Sequence, residues 1–245
     1  MKKQKPLNSL IEDFEDEEIE LVGHDFSDLL DQTIKLQHAN ASEDAEKQAL
    51  NLSNHFLIAM PSMQDPVFGG SVVYMCEHNS RGAMGMVINR PTDMTIAELF
   101  DRIDLQLEII PNSHPLGQKP VMFGGPVQSD RGFVLHAPAG KFTSSLKVSD
   151  EVSFTTSRDI LELLATGEAP QRLLLSIGYA GWDAGQLEKE ILDNGWLTVP
   201  ADLDVMFEVP IEQRFDAAMK LLGFDPLMLA SVAGHAWWVG SKRIS

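Results

Sequence analysis

The chain has 245 residues, of which 44% are hydrophobic and 22% charged, a composition typical of a globular protein that excludes disorder over its whole length. The formal net charge is −17, from 19 Lys and Arg against 36 Asp and Glu. Direct binding to nucleic acid is therefore not expected, because such binding depends on clustered Lys and Arg. Cys76 is the only cysteine, which excludes an internal disulfide and zinc sites built on paired cysteines.

Neither a signal peptide nor a membrane span is expected from the sequence. The lysines at the N-terminus precede an apolar run that is too short for a signal peptide. The longest apolar stretch, residues 173–180, is far shorter than the roughly 20 residues of a membrane span. We therefore expect a cytoplasmic protein with no membrane association.

Residues 1–50 form an acidic extension, with 5 Lys against 13 Asp and Glu. Within it, seven of the nine residues at 12–20 are acidic, and such a block stays solvated. Apolar residues at helical spacing follow at 26–37 and predict an amphipathic helix. A helix of about 12 residues is marginal alone. The extension is predicted to be flexible, and its helix either docks on a partner or on the body of the protein, or it fluctuates.

The body of the chain begins near residue 51 and alternates short apolar runs with helical patterns. Runs bounded by Pro, Gly and Asn predict strands at 56–60, 71–76, 84–88, 132–136, 152–155, 173–178 and 203–209. A capping box at Thr95 and Glu98 predicts a helix to about Arg102. Further helices fit 157–165, 185–194 and 211–222, each followed by Gly. Residues 76–83 are interpreted as a hairpin connection and 104–119 as a loop.

These elements predict one domain over residues 51–236. Hairpin-linked strands with interspersed helices, and no strict βαβ repetition, are typical of the α+β class. We expect a compact single domain with a mostly antiparallel or mixed sheet and peripheral helices. Residues 237–245 form a short C-terminal tail.

The first candidate site is Glu77, His78 and Asn79, after a predicted strand. A carboxylate beside an imidazole can tune the proton affinity needed for acid–base chemistry. The alternative is a plain turn, for which Asn and Gly supply the backbone conformations.

The second is the pair Gly124 and Gly125, followed by Arg131 and His136. Paired glycines let a ligand approach the backbone, and an arginine can clamp a carboxylate or phosphate. Neither a Gly-Lys-Ser/Thr loop nor GxGxxG is present, which argues against those two types of nucleotide site. Alternatively, Arg131 pairs with Asp130 across a turn.

The third candidate contains Gly181, Trp182 and Gln186. A buried strand is predicted to pass through three glycines into a helix, which would expose backbone N–H groups to an anion. In the alternative, Asp183 caps that helix itself.

His235, near the C-terminus, is the fourth candidate, and it could cluster with His78 and His136. Independent histidines are the more common case, so no metal or cofactor is assigned. Trp237 and Trp238 form an apolar patch that either packs on the body or marks an interface. GxSxG and HExxH are absent, and Cys76 lies in an apolar strand where a thiol is inert.

Taken together, the segments resemble the YqgE/AlgH family of bacterial proteins over residues 51–236. The resemblance rests on the residues at 56–61, 71–74, 77–79, 82–85, 89–91, 124–127, 130–136, 155–159, 178–179, 182, 185–188 and 234–236. It implies a compact α+β domain in the cytosol and brings no established molecular activity. A transcriptional-regulator label is attached to some members. Residues 1–50 and 237–245 extend beyond the typical family domain.

Three functional hypotheses follow. The first is a non-enzymatic, regulatory binding module, in which the three glycine-bearing segments form a pocket for a small anionic ligand or a protein partner. The second is a hydrolase-type enzyme with His78 or His136 as base beside Glu77 or Asp130. The third is a transcriptional regulator acting directly or indirectly, for which no helix-turn-helix is visible. The oligomeric state does not follow from the sequence.

Overall fold

A computed structural model describes residues 51–103, 115–166, 170 and 172–223. The predicted N-terminal helix, residues 104–114 of the predicted loop, His235, Trp237 and Trp238 lie outside this part of the chain.

The described chain is built on one sheet of ten strands. The strands are β1 (His55–Ala59), β2 (Val72–Asn79), β3 (Gly82–Val87), β4 (Pro91–Thr95), β5 (Pro120–Phe123), β6 (Val127–Ala137), β7 (Ser145–Lys147), β8 (Ser153–Thr155), β9 (Arg172–Asp183) and β10 (Trp196–Pro200). Their order is β10-β1-β2-β3-β9-β6-β8-β7, with β5 beside β9 and β4 beside β5.

Every strand pair is antiparallel except β5 with β9. The C-terminal part of β9 pairs with β3, and its N-terminal part pairs with β5 and β6. One 12-residue strand therefore joins the two halves of the sheet. The predicted α+β class with a mostly antiparallel sheet is confirmed.

Five α-helices and one 3₁₀ turn surround the described sheet. They are α1 (Ile96–Arg102), α2 (Arg158–Ala165), α3 (Gln186–Leu192), α4 (Leu203–Phe207), the 3₁₀ turn (Ile211–Gln213) and α5 (Arg214–Leu221). Buried apolar residues of α1 and α2 form one core cluster with β5, β6 and β9. A second cluster contains α3 with β1, β2, β3 and β9, and a third contains α4 and α5.

The capping box at the start of α1 is confirmed. The Thr95 backbone N–H donates to Glu98 Oε2 over 2.7 Å, and the Glu98 N–H donates to Thr95 Oγ1 over 3.3 Å. Two backbone donors at the helix start are thereby satisfied by one residue pair.

The predicted strand at 203–209 is wrong, because this segment begins with helix α4. Asp202 caps the helix, and its Oδ1 accepts from the Val205 N–H over 2.9 Å. Val205 and Met206 are buried and pack in a core cluster. The buried apolar residues of this segment therefore belong to a helix and not to a strand. The sequence signal that was overlooked is the N-cap aspartate, Asp202.

Several boundaries also differ from prediction. The connection between β2 and β3, predicted at residues 76–83, is only the two-residue turn of Ser80 and Arg81. The helix expected at 211–222 is divided into a 3₁₀ turn and α5. Four strands were not predicted, namely β4, β5, β7 and β10. They are only three to five residues long, so sequence periodicity identifies them poorly.

A close backbone contact at Gly178 restricts the centre of the sheet. Gly178 has φ +70°, and a Cβ atom there would overlap Gly125 O. Gly70 has nearly the same φ, +73°, but a Cβ atom there would have no other atom within 4 Å. Substitutions at the two glycines therefore distinguish the cost of backbone strain alone from the cost of strain combined with steric overlap.

We predict that Gly178→Ala lowers the free energy of unfolding by about 2–5 kcal/mol, because overpacking adds to the strain of a left-handed residue. Gly70→Ala should cost only about 1–2 kcal/mol, since strain acts alone there. Urea unfolding of both variants measures the difference. Equal losses in the two variants would contradict the close contact.

Candidate functional site

The first and third predicted segments meet at the end of β9. Ala83 pairs with Trp182 and Gly82 with Asp183, which places the β2–β3 hairpin beside the C-terminal part of β9. His78 Nε2 lies 3.1 Å from Glu188 Oε1 on α3. The structure therefore brings His78 and the third segment together.

The ring of His78 uses both nitrogens within the fold. The Leu52 backbone N–H donates to His78 Nδ1 over 3.1 Å, so Nδ1 is the acceptor and Nε2 carries the hydrogen donated to Glu188. The side chain of His78 is 1% exposed. No lone pair of the ring is left to take a proton from a substrate.

Glu77 and Asn79 form part of the hairpin end. Asn79 Nδ2 donates to Glu77 Oε1 over 3.0 Å, and Asn79 Oδ1 accepts from the Arg81 N–H over 2.8 Å. Partial burial raises the pKa of Glu77, while Arg81 and Asn79 act in the opposite direction. Asn79 thus stabilises the turn, in agreement with the alternative that the sequence left open.

Gly124 and Gly125 are buried against the backbone of β9. The Gly124 N–H donates to Ile177 O over 2.9 Å. A Cβ at Gly124 would overlap Gly178 O, and one at Gly125 would overlap the carbonyl group of Tyr179. These two glycines therefore allow the backbone of another strand, and not a ligand, to come close.

Arg131 lies in an irregular part of β6. The pairing of β6 with β9 is interrupted between Val127 and Gly132. Arg131 Nη1 is buried and has no hydrogen-bond partner, and the same is true of Gln128 Oε1. Among the described residues Arg131 forms no ion pair with Asp130, so the predicted alternative pairing is not observed.

His136 is fully buried in the middle of the sheet. Its Nδ1 lies 3.1 Å from Pro138 O and donates to it, and its Nε2 lies 2.9 Å from Thr155 Oγ1 and accepts from it. Burial lowers the pKa of His136, and the bond to the Pro138 carbonyl partly offsets this effect. The neutral ring has a structural role at this position.

The third segment is part of a strand, contrary to the prediction of exposed backbone donors. Residues 180–183 pair with β3. Asp183 does not cap α3, whose N-cap is Gly185 with φ +74°. The Asp183 N–H instead donates to Gln186 Oε1 over 3.0 Å. Gly181 is exposed, and Trp182 is buried.

Glu190, a residue that no sequence motif indicated, connects α3 to the sheet. Its Oε2 accepts from the indole N–H groups of Trp182 and Trp196, over 2.9 and 2.8 Å. Its Oε1 accepts from the side-chain amide nitrogen Nε2 of Gln186 over 2.9 Å. One carboxylate therefore satisfies three donors.

A cleft of about 270 Å³ lies between the β5–β9 part of the sheet and the chain from α4 to α5. It is lined by Ile96, Lys119, Pro120, Met122, Leu173, Leu174, Leu175, Phe207, Glu208, Val209, Pro210, Ile211, Glu212 and Arg214. None of the ten residues predicted as ligand-binding candidates lines it.

Arg214 is the buried charge of this cleft, with 4% of its surface exposed. Its Nε donates to Val209 O over 3.0 Å, and its Nη1 donates to Ile88 O over 2.6 Å. Burial lowers the pKa of Arg214 to about 10, and nearby Glu212 opposes the shift. Among the described residues no carboxylate forms an ion pair with it.

A signal for Arg214 was present in the sequence. Arg214 and Ala218 stand four residues apart in the predicted helix 211–222, and both are buried. A charged residue on the apolar face of a helix is unusual unless the charge is used. The cleft itself could not be foreseen, because it depends on the unpredicted strand β5.

His78 and His136 do not share a site. His78 and His136 each bond to different partners, and His235 lies outside the described residues. Within the part of the chain that the structure describes, no group of three or more His, Cys, Asp or Glu side chains is placed to hold a metal ion.

The family model described as AlgH-like (DUF179) matches residues 56–227 of the chain. The chain belongs to the AlgH-like family. The resemblance inferred from the sequence is thereby confirmed. A UPF0301 protein of Ralstonia nicotianae is 59% identical over 196 residues, which cover 80% of this chain and 100% of that protein. A UPF0301 protein of Cupriavidus pinatubonensis is 60% identical over 187 residues, covering 76% and 96% of the two chains.

Several solved structures resemble this AlgH-like chain. The solution structure of the AlgH protein from Pseudomonas aeruginosa has a TM-score of 0.62 and 46% identity, and covers 77% of this chain and 99% of that one. A crystal structure of a Corynebacterium diphtheriae protein has a TM-score of 0.54 at 19% identity, covering 75% and 93%, and supports the fold alone. No helix within the described ranges is long and apolar enough to cross a bilayer.

We predict that Glu190→Ala lowers the free energy of unfolding by about 1–3 kcal/mol, because two partly buried indole N–H groups lose their charged acceptor. Lys189→Ala is the matched control on the same helix, since Lys189 is exposed. It should change stability by less than about 0.5 kcal/mol. Denaturant unfolding followed by tryptophan fluorescence measures both, and equal effects would contradict the described network.

A second prediction concerns pH. Because burial lowers the pKa of His136, the unfolded chain binds a proton at a higher pH than the folded chain does. The contribution of His136 is therefore fully present above its unfolded pKa and is lost as the pH falls toward the folded value. We expect the free energy of unfolding to drop more between about pH 7.5 and 5.5 in the wild type than in His136→Gln. Parallel pH profiles would contradict a neutral, buried ring.

Proposed function

We propose that this AlgH-like domain is a non-enzymatic, cytoplasmic binding module with a regulatory role, and that its ligand occupies the cleft beside Arg214. The observation that carries the proposal is a buried arginine, without an ionic partner among the described residues, in a cleft of about 270 Å³. This volume is close to the lower end of the range for ligand pockets, about 300–1,000 Å³. A small molecule fits it better than a folded partner does.

Hydrogen bonding favours a binding role over catalysis by the predicted residues. A general base needs a nitrogen lone pair that reaches the substrate. His78 and His136 each use both ring nitrogens in bonds to their own fold. Burial also raises the pKa of the Cys76 thiol, which keeps it in the unreactive protonated form.

Charge favours indirect regulation over direct contact with DNA. The chain has a net charge of −17, and phosphate backbones are bound by clustered cations. A ligand in the cleft would contact both the sheet and the segment from Phe207 to Arg214. Occupancy would thus change the surface that α4 and α5 present to another protein.

The proposal is tested by a thermal-shift screen of small carboxylates, nucleotides and metal ions. A ligand at 100 times its Kd should stabilise the fold by about 2.7 kcal/mol, which for a domain of this size is about 5–10 °C in Tm. Ile211→Trp is designed to fill the cleft, and Leu192→Trp is its control. Leu192 is 81% exposed and is not part of the cleft lining.

We expect at least one ligand to raise Tm in the wild type and in Leu192→Trp, and to lose its effect in Ile211→Trp. A screen without any stabilising ligand would contradict the proposal. Stabilisation that persists fully in Ile211→Trp would place binding outside the cleft.

A further inference from the structure

Arg214 forms no ion pair with any described residue, although exposed Glu212 is near enough to act on its pKa. Its two observed hydrogen bonds go to the carbonyl oxygens of Val209 and Ile88, which are neutral. A guanidinium group has five N–H donors, so donors remain for another acceptor. Burying a charge is costly unless it is paired. An anionic ligand would supply the missing partner.

The other charged residues of the cleft are at its exposed rim. Glu208 is exposed, and its Oε1 lies 2.9 Å from Arg172 Nε in an ion pair. Glu212 is exposed, and Lys119 is half-buried. Solvent weakens interactions with exposed charges far more than with a buried one. Arg214 therefore dominates the electrostatic preference of the interior.

The rest of the lining is mostly apolar. Met122 and Leu173 lie on the sheet side, and Phe207, Val209 and Ile211 lie on the helix side. A water-sized group occupies about 30 Å³ in a liquid, so the cleft holds about nine non-hydrogen atoms. A ligand for this space needs a short apolar body and one anionic end.

We propose that the cleft binds a small monocarboxylate with an apolar chain, whose carboxylate pairs with Arg214. This inference rests on the proposed binding function and specifies its ligand class. Carboxylate fits the planar fork of a guanidinium. Polyphosphates fit less well, because the mostly apolar lining offers few partners for additional negative charge and Glu212 at the rim repels it. A cationic ligand would be repelled by the buried positive charge of Arg214.

The test compares octanoate with octanamide on the full-length wild-type protein. Octanoate has about ten non-hydrogen atoms, close to the size of the cleft, and octanamide is the uncharged molecule of the same shape. Titrations are followed by amide chemical shifts in two-dimensional NMR. We expect octanoate to bind at least tenfold more tightly than octanamide, with the largest shifts in residues 207–214.

Variants separate the charge of Arg214 from its role in the fold. Arg214→Gln should lose the preference for octanoate, whereas Arg214→Lys should retain part of it. Arg158→Gln is the control, because the Arg158 side chain is 57% exposed and pairs only with Glu162 among the described residues. It should bind like the wild type. If Arg214→Gln does not fold, the comparison of octanoate with octanamide on the wild type still decides whether the cleft prefers a carboxylate.

Two failures can be distinguished. Equal affinity for the two ligands, no binding of octanoate, or shifts confined to other residues would overturn the carboxylate assignment. If another ligand from the thermal-shift screen shifts residues 207–214, the proposed function survives that result. If no compound shifts these residues, the binding function fails as well.

Discussion

The close contact of Gly124, Gly125 and Gly178 is the constraint on which the rest of the structure depends. Each of these positions would clash with a neighbouring backbone if it carried a side chain. They lie where β9 passes from its pairing with β5 and β6 to its pairing with β3. Both halves of the sheet are joined there, so the backbone must come close at this point.

This arrangement changes the meaning of the glycine-rich segments. Glycine permits close approach, but the sequence does not say whether a ligand or another strand makes that approach. Here the Gly124 carbonyl accepts from the Val87 N–H, and the Gly124 N–H donates to Ile177 O. The space that a ligand would need is occupied by the protein itself.

The proposed binding site lies away from the glycine-rich segments and is formed by other elements of the fold. Its walls are the β5–β9 edge and the chain from α4 to α5, and Arg214 ties the second wall to the end of β3 through Ile88 O. A single arginine therefore holds the wall in place and supplies its buried charge. Loss of this residue would affect shape and electrostatics together.

Local signals predicted much of the fold. The capping box at Thr95, the helix 157–165 and the strands around Phe56 and Val73 follow from caps and apolar runs that act within a few residues. Strand β5 and the end of β9 were missed, since their pairing depends on partners far along the chain. The run at Leu203 was misassigned for a different reason, because its local helix signal, the cap at Asp202, was overlooked.

The candidate site was harder to predict for a similar reason. His78 and Glu188 are 110 positions apart, and Arg214 and Ile88 are separated by 126. No spacing rule connects such residues before the fold is known. The family assignment could be made from the sequence, because ordered motifs are recognisable without their contacts. What those motifs do physically became visible only in the folded chain.

The fold depends on the burial of Gly124, Gly125 and Gly178 inside the sheet. Amide hydrogen exchange of the native protein tests it most directly. We predict that the Gly124 and Val87 amides exchange as slowly as the most protected amides of β9, through global unfolding. Exchange of these amides as fast as that of the exposed turn at Ser80 and Arg81 would contradict it.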